Sequence, residues 1–293
     1  MFKERVNKIN DIDLTKWNSL EYQDLITDSL WIFNKRDNAG EHKDGINYPG
    51  NFCPQIVNQL LRRFTKERNW VLDPMVGGGT TLIEASKLHR YAIGIDLDTS
   101  YLKQNLDGNK YNYHQGDATL YETYEKFPYN FFDFIICHPP YHNIIKYSDK
   151  KEDLSNMKDV DDFVDLFSKV IYLCNMYLKT NKYLAVVMSD LYSKEEYIPL
   201  AFKVMESIST LHYFSHIDRS FYTPFIESDN KEYTKFQLKS IIVKNFGETK
   251  GKKNQQNLWR YRALANGLYT FKHEYILLFK KVPLTKKEIK NII

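Results

Sequence analysis

Cysteine is scarce in this chain: Cys53, Cys137 and Cys174 stand far apart and no two form a CxxC pair. That excludes a disulfide scaffold and a zinc ribbon, and it suits a reducing compartment. No apolar stretch has the length of a membrane span, and the run "YLAVVM" has only that of a buried strand. The start, "MFKERVNKINDIDL", is charged and lacks the apolar core of a signal peptide, so a cytoplasmic protein with no membrane partner is expected. Charge of one sign is not in large excess either. The formal net charge is +4, which permits a nucleic-acid partner without arguing for one. No internal repeat and no low-complexity tract is visible. His42, His89, His114 and His142 lack the spacing of metal ligands, so no metal site is expected.

What is present points to a large folded domain. Hydrophobic residues make up 43% of the 293 and aromatics 15%, enough to build a substantial core. From Trp70 onward, strand-like and helix-like segments alternate. "NWVLD", "YAIGID", "YNYHQGD", "FFDFIIC" and "YLAVVMS" read as strands. "TTLIEASKLH", "SYLKQNLDGNK" and "YIPLAFKVMESI" read as helices between or after them. In "VDDFVDLFSKVIYLCNMYLK", Phe163, Phe167, Val170, Ile171, Cys174 and Leu178 recur at helical spacing and mark an amphipathic helix. "LHYFSHI" and "HEYILLFKK" read as the closing strands. The alternation predicts an α/β fold with a mostly parallel sheet of seven strands and helices on both faces. In such sheets ligands bind beyond the carboxyl ends of the strands.

Two motifs fall on that edge. In "VLDPMVGGGTTLIEA" a strand ends in Asp73-Pro74, glycines 77 to 79 turn the chain, and Thr80 or Thr81 opens a helix. Glycines allow a ligand close to the backbone, and the helix start offers unpaired N–H groups. The next strand ends in Asp96, where an acid roughly twenty residues beyond the glycines can grip a ribose hydroxyl pair. The third ends in Gly116-Asp117-Ala118, whose carboxylate can accept from an adenine amino group. The fourth ends in His138-Pro139-Pro140-Tyr141. Its two prolines fix their own φ and restrict the residues before them, so the corner is stiff and extended.

Together these stretches resemble the S-adenosylmethionine-dependent DNA amino-methyltransferases, which modify N6 of adenine or N4 of cytosine. The family's cofactor motif, Asp-Pro-Phe-x-Gly-x-Gly-Thr-Thr, is matched by Asp73 to Thr81. Its catalytic signature, Asp/Asn/Ser-Pro-Pro-Tyr/Phe, is matched by His138 to Tyr141, with His in the first place. "NFCPQIVNQLLRRFT" is similar to the family's additional cofactor motif and would set Phe52 and Pro54 near the methionine end. The resemblance implies a Rossmann-like class I methyltransferase that uses S-adenosylmethionine on double-stranded DNA with the target base flipped out. Phe52, Pro54, Asp73, Pro74, Gly77, Gly79, Thr80, Asp96, Asp117 and Ala118 would bind the cofactor. His138, Pro139, Pro140 and Tyr141 would form the catalytic corner, and the histidine leaves the target base open. A restriction-modification or phage context is implied, with a cognate restriction nuclease as a partner.

The domain organisation expected is an N-terminal extension (1–50), a catalytic domain (51–217 and 273–281) and a target-recognition insertion (218–272). Within the last, "KNFGETKGKKNQQNLWRYR" interleaves Lys244, Lys250, Lys252, Lys253, Arg260 and Arg262 with Phe246, Trp259 and Tyr261. Basic groups there can neutralise phosphates while aromatics meet bases. The readings that compete are an RNA amino-methyltransferase and an inactive, DNA-binding subunit of the same fold.

Overall fold

The computed structural model describes residues 9–14, 20–37, 48, 50, 53–193, 196–210, 233–246 and 250–292. Its first strand, β1 (Leu30–Trp31), is too short to carry a periodic signal. Helix α1 (Pro54–Phe64) opens on a proline, whose missing N–H is no loss at a first helical position. The alternation then follows as β2 (Trp70–Asp73), α2 (Thr80–Lys87), β3 (Tyr91–Asp96), α3 (Ser100–Asn105), β4 (Asn112–Gln115) and β5 (Phe132–Cys137). Next come α4 (Val160–Tyr177), β6 (Leu178–Met188), the small hairpin β7 (Leu191–Ser193) and β8 (Glu196–Ile198), and α5 (Leu200–Thr210). The chain closes with β9 (Thr234–Asn245), α6 (Lys250–Asn266), β10 (His273–Pro283) and α7 (Lys286–Ile292). At the start of α4 the Asp159 side chain accepts from the Asp161 N–H, a capping bond that sets the helix entry.

Among the described residues the main sheet has eight strands in the order β1-β9-β10-β6-β5-β2-β3-β4. Strands β2 to β6 are mutually parallel, and β10 runs antiparallel between β6 and β9. The chain winds outward from β2 through β3 to β4, then returns to β5 on its other side. That reversal is the topological switch point, and a crevice opens there at the carboxyl ends of β2, β3 and β5.

Side-chain alternation along β5 divides the core. Ile135 and Cys137 face Phe163, Phe167, Val170 and Ile171 of α4. Phe134 and Ile136 face Ile56, Leu60 and Leu61 of α1, together with Trp31. Both faces are therefore covered, as a parallel sheet requires. Each fully buried side chain of this size contributes about 1.5–3 kcal/mol by leaving water. Among the described residues no helix is long and apolar enough to cross a membrane.

One expectation needs correction: among the described residues the sheet has eight strands rather than seven, with β1 and β9 joining six strands read from sequence. Within the expected N-terminal extension, Trp31 is fully buried and the Asn245 amide bridges the backbone of Phe33. Within the expected target-recognition insertion, β9 is a twelve-residue strand of the main sheet. "LHYFSHI" lies outside the described residues.

Candidate active site

A cavity of about 290 Å³ opens at the switch point. Its walls come from the turn after β2 (Asp73 to Gly78), the end of β3 (Asp96 to Asp98), the end of β4 (Gly116 to Thr119) and the corner after β5 (His138 to Tyr141). Four strand ends predicted from sequence to share an edge therefore meet in one space.

Asp73 terminates β2 and is almost fully buried. It accepts the Thr81 hydroxyl at 2.5 Å on Oδ2 and the Met75 N–H at 3.1 Å on Oδ1. Burial pushes its pKa up to about 7, against the opposing effect of those two hydrogen bonds. Its work is to tie the turn to the second residue of α2. The turn is then fixed from the other side, where the Gly77 N–H donates to Asp96 Oδ2 at 2.8 Å. Gly77 has φ +49°, and a Cβ there would stand 2.9 Å from the ring of Tyr48. Gly79, at φ +84°, faces the other way, toward Leu102 of α3 and Leu106 just after it. Asp96 also accepts the Asp98 N–H at 3.1 Å, and burial raises its pKa. Asp117 Oδ1 holds the Thr119 N–H and hydroxyl at 2.8 and 2.7 Å.

Of the cofactor residues expected from sequence, Asp73, Pro74, Gly77, Asp96, Asp117 and Ala118 line the cavity. Pro54, Gly79 and Thr80 do not: Pro54 starts α1 and is buried, and Gly79 and Thr80 form the α2 start. Phe52 lies outside the described residues. Tyr48, Tyr101 and Tyr147 complete the cavity rim and were not anticipated. Tyr48 stacks on Tyr147 at 6.0 Å and meets Tyr101 edge-on at 5.1 Å.

The lining is acidic. Asp73, Asp96, Asp98, Asp117, Glu152 and Asp153 face a space whose walls include a single lysine, Lys146. A cavity with that balance favours a cationic occupant. Among the described residues no group of His, Cys, Asp and Glu is arranged to hold a metal ion.

The corner after β5 is held by residues far away in sequence. His138 Nε2 lies 3.1 Å from the Tyr141 hydroxyl, which donates to Glu274 Oε2 at 2.7 Å. Glu274 Oε1 accepts from Lys244 Nζ at 2.8 Å, and both side chains are buried. Burial alone would raise the Glu274 pKa, but Lys244, His138 and Tyr141 outweigh it and hold the carboxyl below its ordinary range. Burial lowers the His138 pKa to about 4, with Lys244 and Arg36 adding to the fall and Glu274 opposing it. The residue that follows this corner, His142, is buried against Phe163 with φ +54°, and neither ring nitrogen has a hydrogen-bond partner among the described residues.

On the expected substrate side, Lys250, Lys252 and Lys253 fall on α6. Trp259, Arg260, Tyr261 and Arg262 are exposed there, with the Arg262 guanidinium 5.2 Å above the Trp259 ring. Lys244 does not join them, since it is buried and paired.

Residues 3–107 match the model of a family described as DNA methylase. That span holds the Asp73–Thr81 turn and Asp96 and ends before His138. Over 48 residues the chain is 46% identical to the type II methyltransferase M2.LlaDCHI of Lactococcus lactis subsp. cremoris, covering 16% of this chain and 18% of that protein. Over 58 residues it is 38% identical to the type II methyltransferase M.MjaII of Methanocaldococcus jannaschii, covering 20% and 11%. The matched part is about a fifth or less of each relative's length. Among solved structures, TrmN from Thermus thermophilus aligns with TM-score 0.47 and 15% identity over 80% of this chain and 50% of that one. Over residues 3–107, which include the Asp73–Thr81 turn that faces the His138–Tyr141 corner across the cavity, the chain is thus similar to the DNA methylase family, and over shorter stretches to two type II methyltransferases.

Proposed function

We propose that this protein transfers a methyl group from S-adenosylmethionine to an exocyclic amino nitrogen of a DNA base, N6 of adenine or N4 of cytosine. One observation carries the reading: the glycine turn with its strand-end acids and the His-Pro-Pro-Tyr corner face each other across a single cavity.

The residues fit the cofactor. A Cβ at Gly77 would crowd the Tyr48 ring, and Asp98, Asp117, Glu152 and Asp153 against one lysine suit a cation. Bound there, S-adenosylmethionine supplies an electrophilic methyl group on a positively charged sulfur. Asp96 receives the ribose hydroxyls, Asp117 the adenine amine, and Ala118 backs the ring. At the corner, the difficulty is that an exocyclic amine shares its lone pair with the ring. Acceptors at His138 and the Pro139 carbonyl draw its hydrogens and favour tetrahedral nitrogen, and the diproline keeps them in place. The Tyr141 ring stacks on the base. A base reaches such a recess only when flipped out of the duplex.

For the rest of the substrate we propose α6. Its exposed aromatics and arginines, with three lysines in the first turn, suit phosphates and unstacked bases. Relatives named type II methyltransferases support a restriction-modification context, for which we propose a cognate nuclease as partner and a cytoplasmic location.

The reading is tested by incubating the purified protein with methyl-labelled cofactor and either duplex DNA or RNA, followed by long-read mapping of the DNA. Label on DNA supports it. Label on RNA alone, or cofactor binding with no transfer to either, overturns it.

Two further outcomes are expected. Asp96→Ala should weaken cofactor binding by on the order of 1.5–3 kcal/mol, the worth of a charge-assisted hydrogen bond. Calorimetry with unchanged affinity would take Asp96 out of the site. Replacing Lys250, Lys252 and Lys253 by Gln should flatten the salt dependence of DNA affinity, by roughly 0.9 in logarithmic slope for each phosphate no longer neutralised. An unaltered slope would return α6 to a solvated surface helix.

A further inference from the structure

We propose that Glu274 is a positioning residue that sets the tautomer of His138: by holding the hydrogen of the Tyr141 hydroxyl, it makes Nε2 the protonated nitrogen and Nδ1 the acceptor. Its consequence for catalysis rests on the methyl-transfer reading; the tautomer itself does not.

The argument is one of hydrogen counting along a chain of bonds. Glu274 is ionised, because Lys244 occupies its Oε1 at 2.8 Å and lies directly across the β9–β10 ladder from it. An ionised carboxylate only accepts, so its other oxygen, 2.7 Å from the Tyr141 hydroxyl, must receive that hydrogen. Burial first, and then Glu274, raise the Tyr141 pKa well above its ordinary value, so the phenol keeps its one hydrogen. With that hydrogen committed, the phenol oxygen presents a lone pair to His138 Nε2 at 3.1 Å. Two lone pairs facing each other at that distance repel, so Nε2 carries a hydrogen. In a neutral imidazole the lone pair then belongs to Nδ1.

The charged and titratable groups around His138 come from three further elements: Glu274 on β10, Lys244 on β9, and Arg36 beyond β1, with Tyr147 acting on Tyr141. Burial, helped by Lys244 and Arg36 and opposed by Glu274, keeps the imidazole neutral, which the tautomer argument requires. A lysine and a glutamate on adjacent strands thus decide which histidine nitrogen can accept from an amine. Without Glu274 the phenol is released to turn its hydrogen toward His138, and the assignment reverses.

Nitrogen-15 NMR of the histidine-labelled protein reads the tautomer directly, with the His138 resonances identified by their loss in His138→Ala. At neutral pH the wild type should show hydrogen on Nε2. Glu274→Gln should shift population toward the Nδ1–H form, and Tyr141→Phe should leave a mixture. The double variant Glu274→Leu/Lys244→Met carries the same measurement with neither an acceptor for the phenol nor a stranded lysine, should the single variant fail to fold. Wild-type Nδ1–H, or the same tautomer in the wild type and the folded Glu274 variants, overturns the proposal. On DNA, Glu274→Gln should lower kcat by about ten- to a hundredfold, the range for partners that orient a functional histidine, with KM and cofactor affinity unmoved. If the wild type methylates nothing while the tautomer shifts as stated, it is the methyl-transfer reading that fails and not this one.

Discussion

His138→Ala should lower kcat for base methylation by on the order of 10²- to 10³-fold, with little change in cofactor affinity. The size follows from removing one preorganised acceptor from a site shielded from water. The split follows from where that acceptor is used: the amine's hydrogens become more acidic as the nitrogen attacks, so the bond to His138 strengthens mainly in the transition state. The pH profile separates this role from a packing role. An imidazole in water titrates near 6.5, which puts an acid limb close to neutrality. Burial moves His138 down to about 4, so the limb belongs near that value, and activity at pH 6 should be close to its plateau. A bound sulfonium lowers the pKa further, since two cations repel. His138→Asp should keep part of the activity through a different acceptor and lose the histidine limb. Wild-type turnover in His138→Ala would reduce the histidine to a strand terminator.

Stability is a poor substitute for that profile, because two groups of the same cavity oppose each other. His138 is harder to protonate folded than unfolded, so its contribution to stability grows as pH rises from about 4 to the ordinary 6.5. Asp73 is raised to about 7 from 3.8, so the native state holds that proton longer and its contribution shrinks as pH rises over that interval. The two slopes have opposite sign over nearly the same window. Unfolding free energies between pH 4 and 7 should therefore show little dependence from this pair, while turnover shows the His138 limb.

Three of the parallel strands, β2, β3 and β5, were legible because each is a short apolar run closed by a distinctive residue: Asp73, Asp96 or His138. Periodicity marks such elements locally, and the switch-point rule then brings their ends together without any knowledge of packing. In the antiparallel half β10 was legible as "HEYILLFKK", whereas β9 and β1 were not. β9 reads "TKFQLKSIIVKN", and Lys235, Gln237 and Lys239 disguise its first half as a polar surface stretch. β1 has two residues, too few for any period, and takes its place only because Trp31 is buried beneath β9 and β10. The Lys244–Glu274 pair is a fact of register between strands separated by α6, and no local pattern encodes register across such a distance. Tyr48 reaches the glycine turn from before α1 for the same reason: its contact with Gly77 is tertiary. Read from sequence, Lys244 was one more basic residue beside an aromatic; in the fold it is the counter-ion of Glu274.

That reassignment has a measurable cost attached. Lys244→Ala should destabilise the protein by about 3–5 kcal/mol in urea unfolding at pH 7, because it leaves the Glu274 charge buried without its partner. The side chains are only 6% and 9% exposed, so water can do little to compensate. Removing both charges, as in Glu274→Gln/Lys244→Met, should recover much of the loss, since a buried ion pair contributes far less than the desolvation its two members share. A lysine that contacted DNA phosphate would behave the opposite way: its removal would lower the salt slope of DNA binding and leave folding within about 0.5 kcal/mol of the wild type. Lys244→Ala and the Lys250, Lys252 and Lys253 triple variant are therefore a matched pair. The first should change the unfolding midpoint and the second the salt slope. If Lys244→Ala unfolds at the wild-type midpoint, the ion pair carries no structural weight and Lys244 goes back among the candidates for DNA binding.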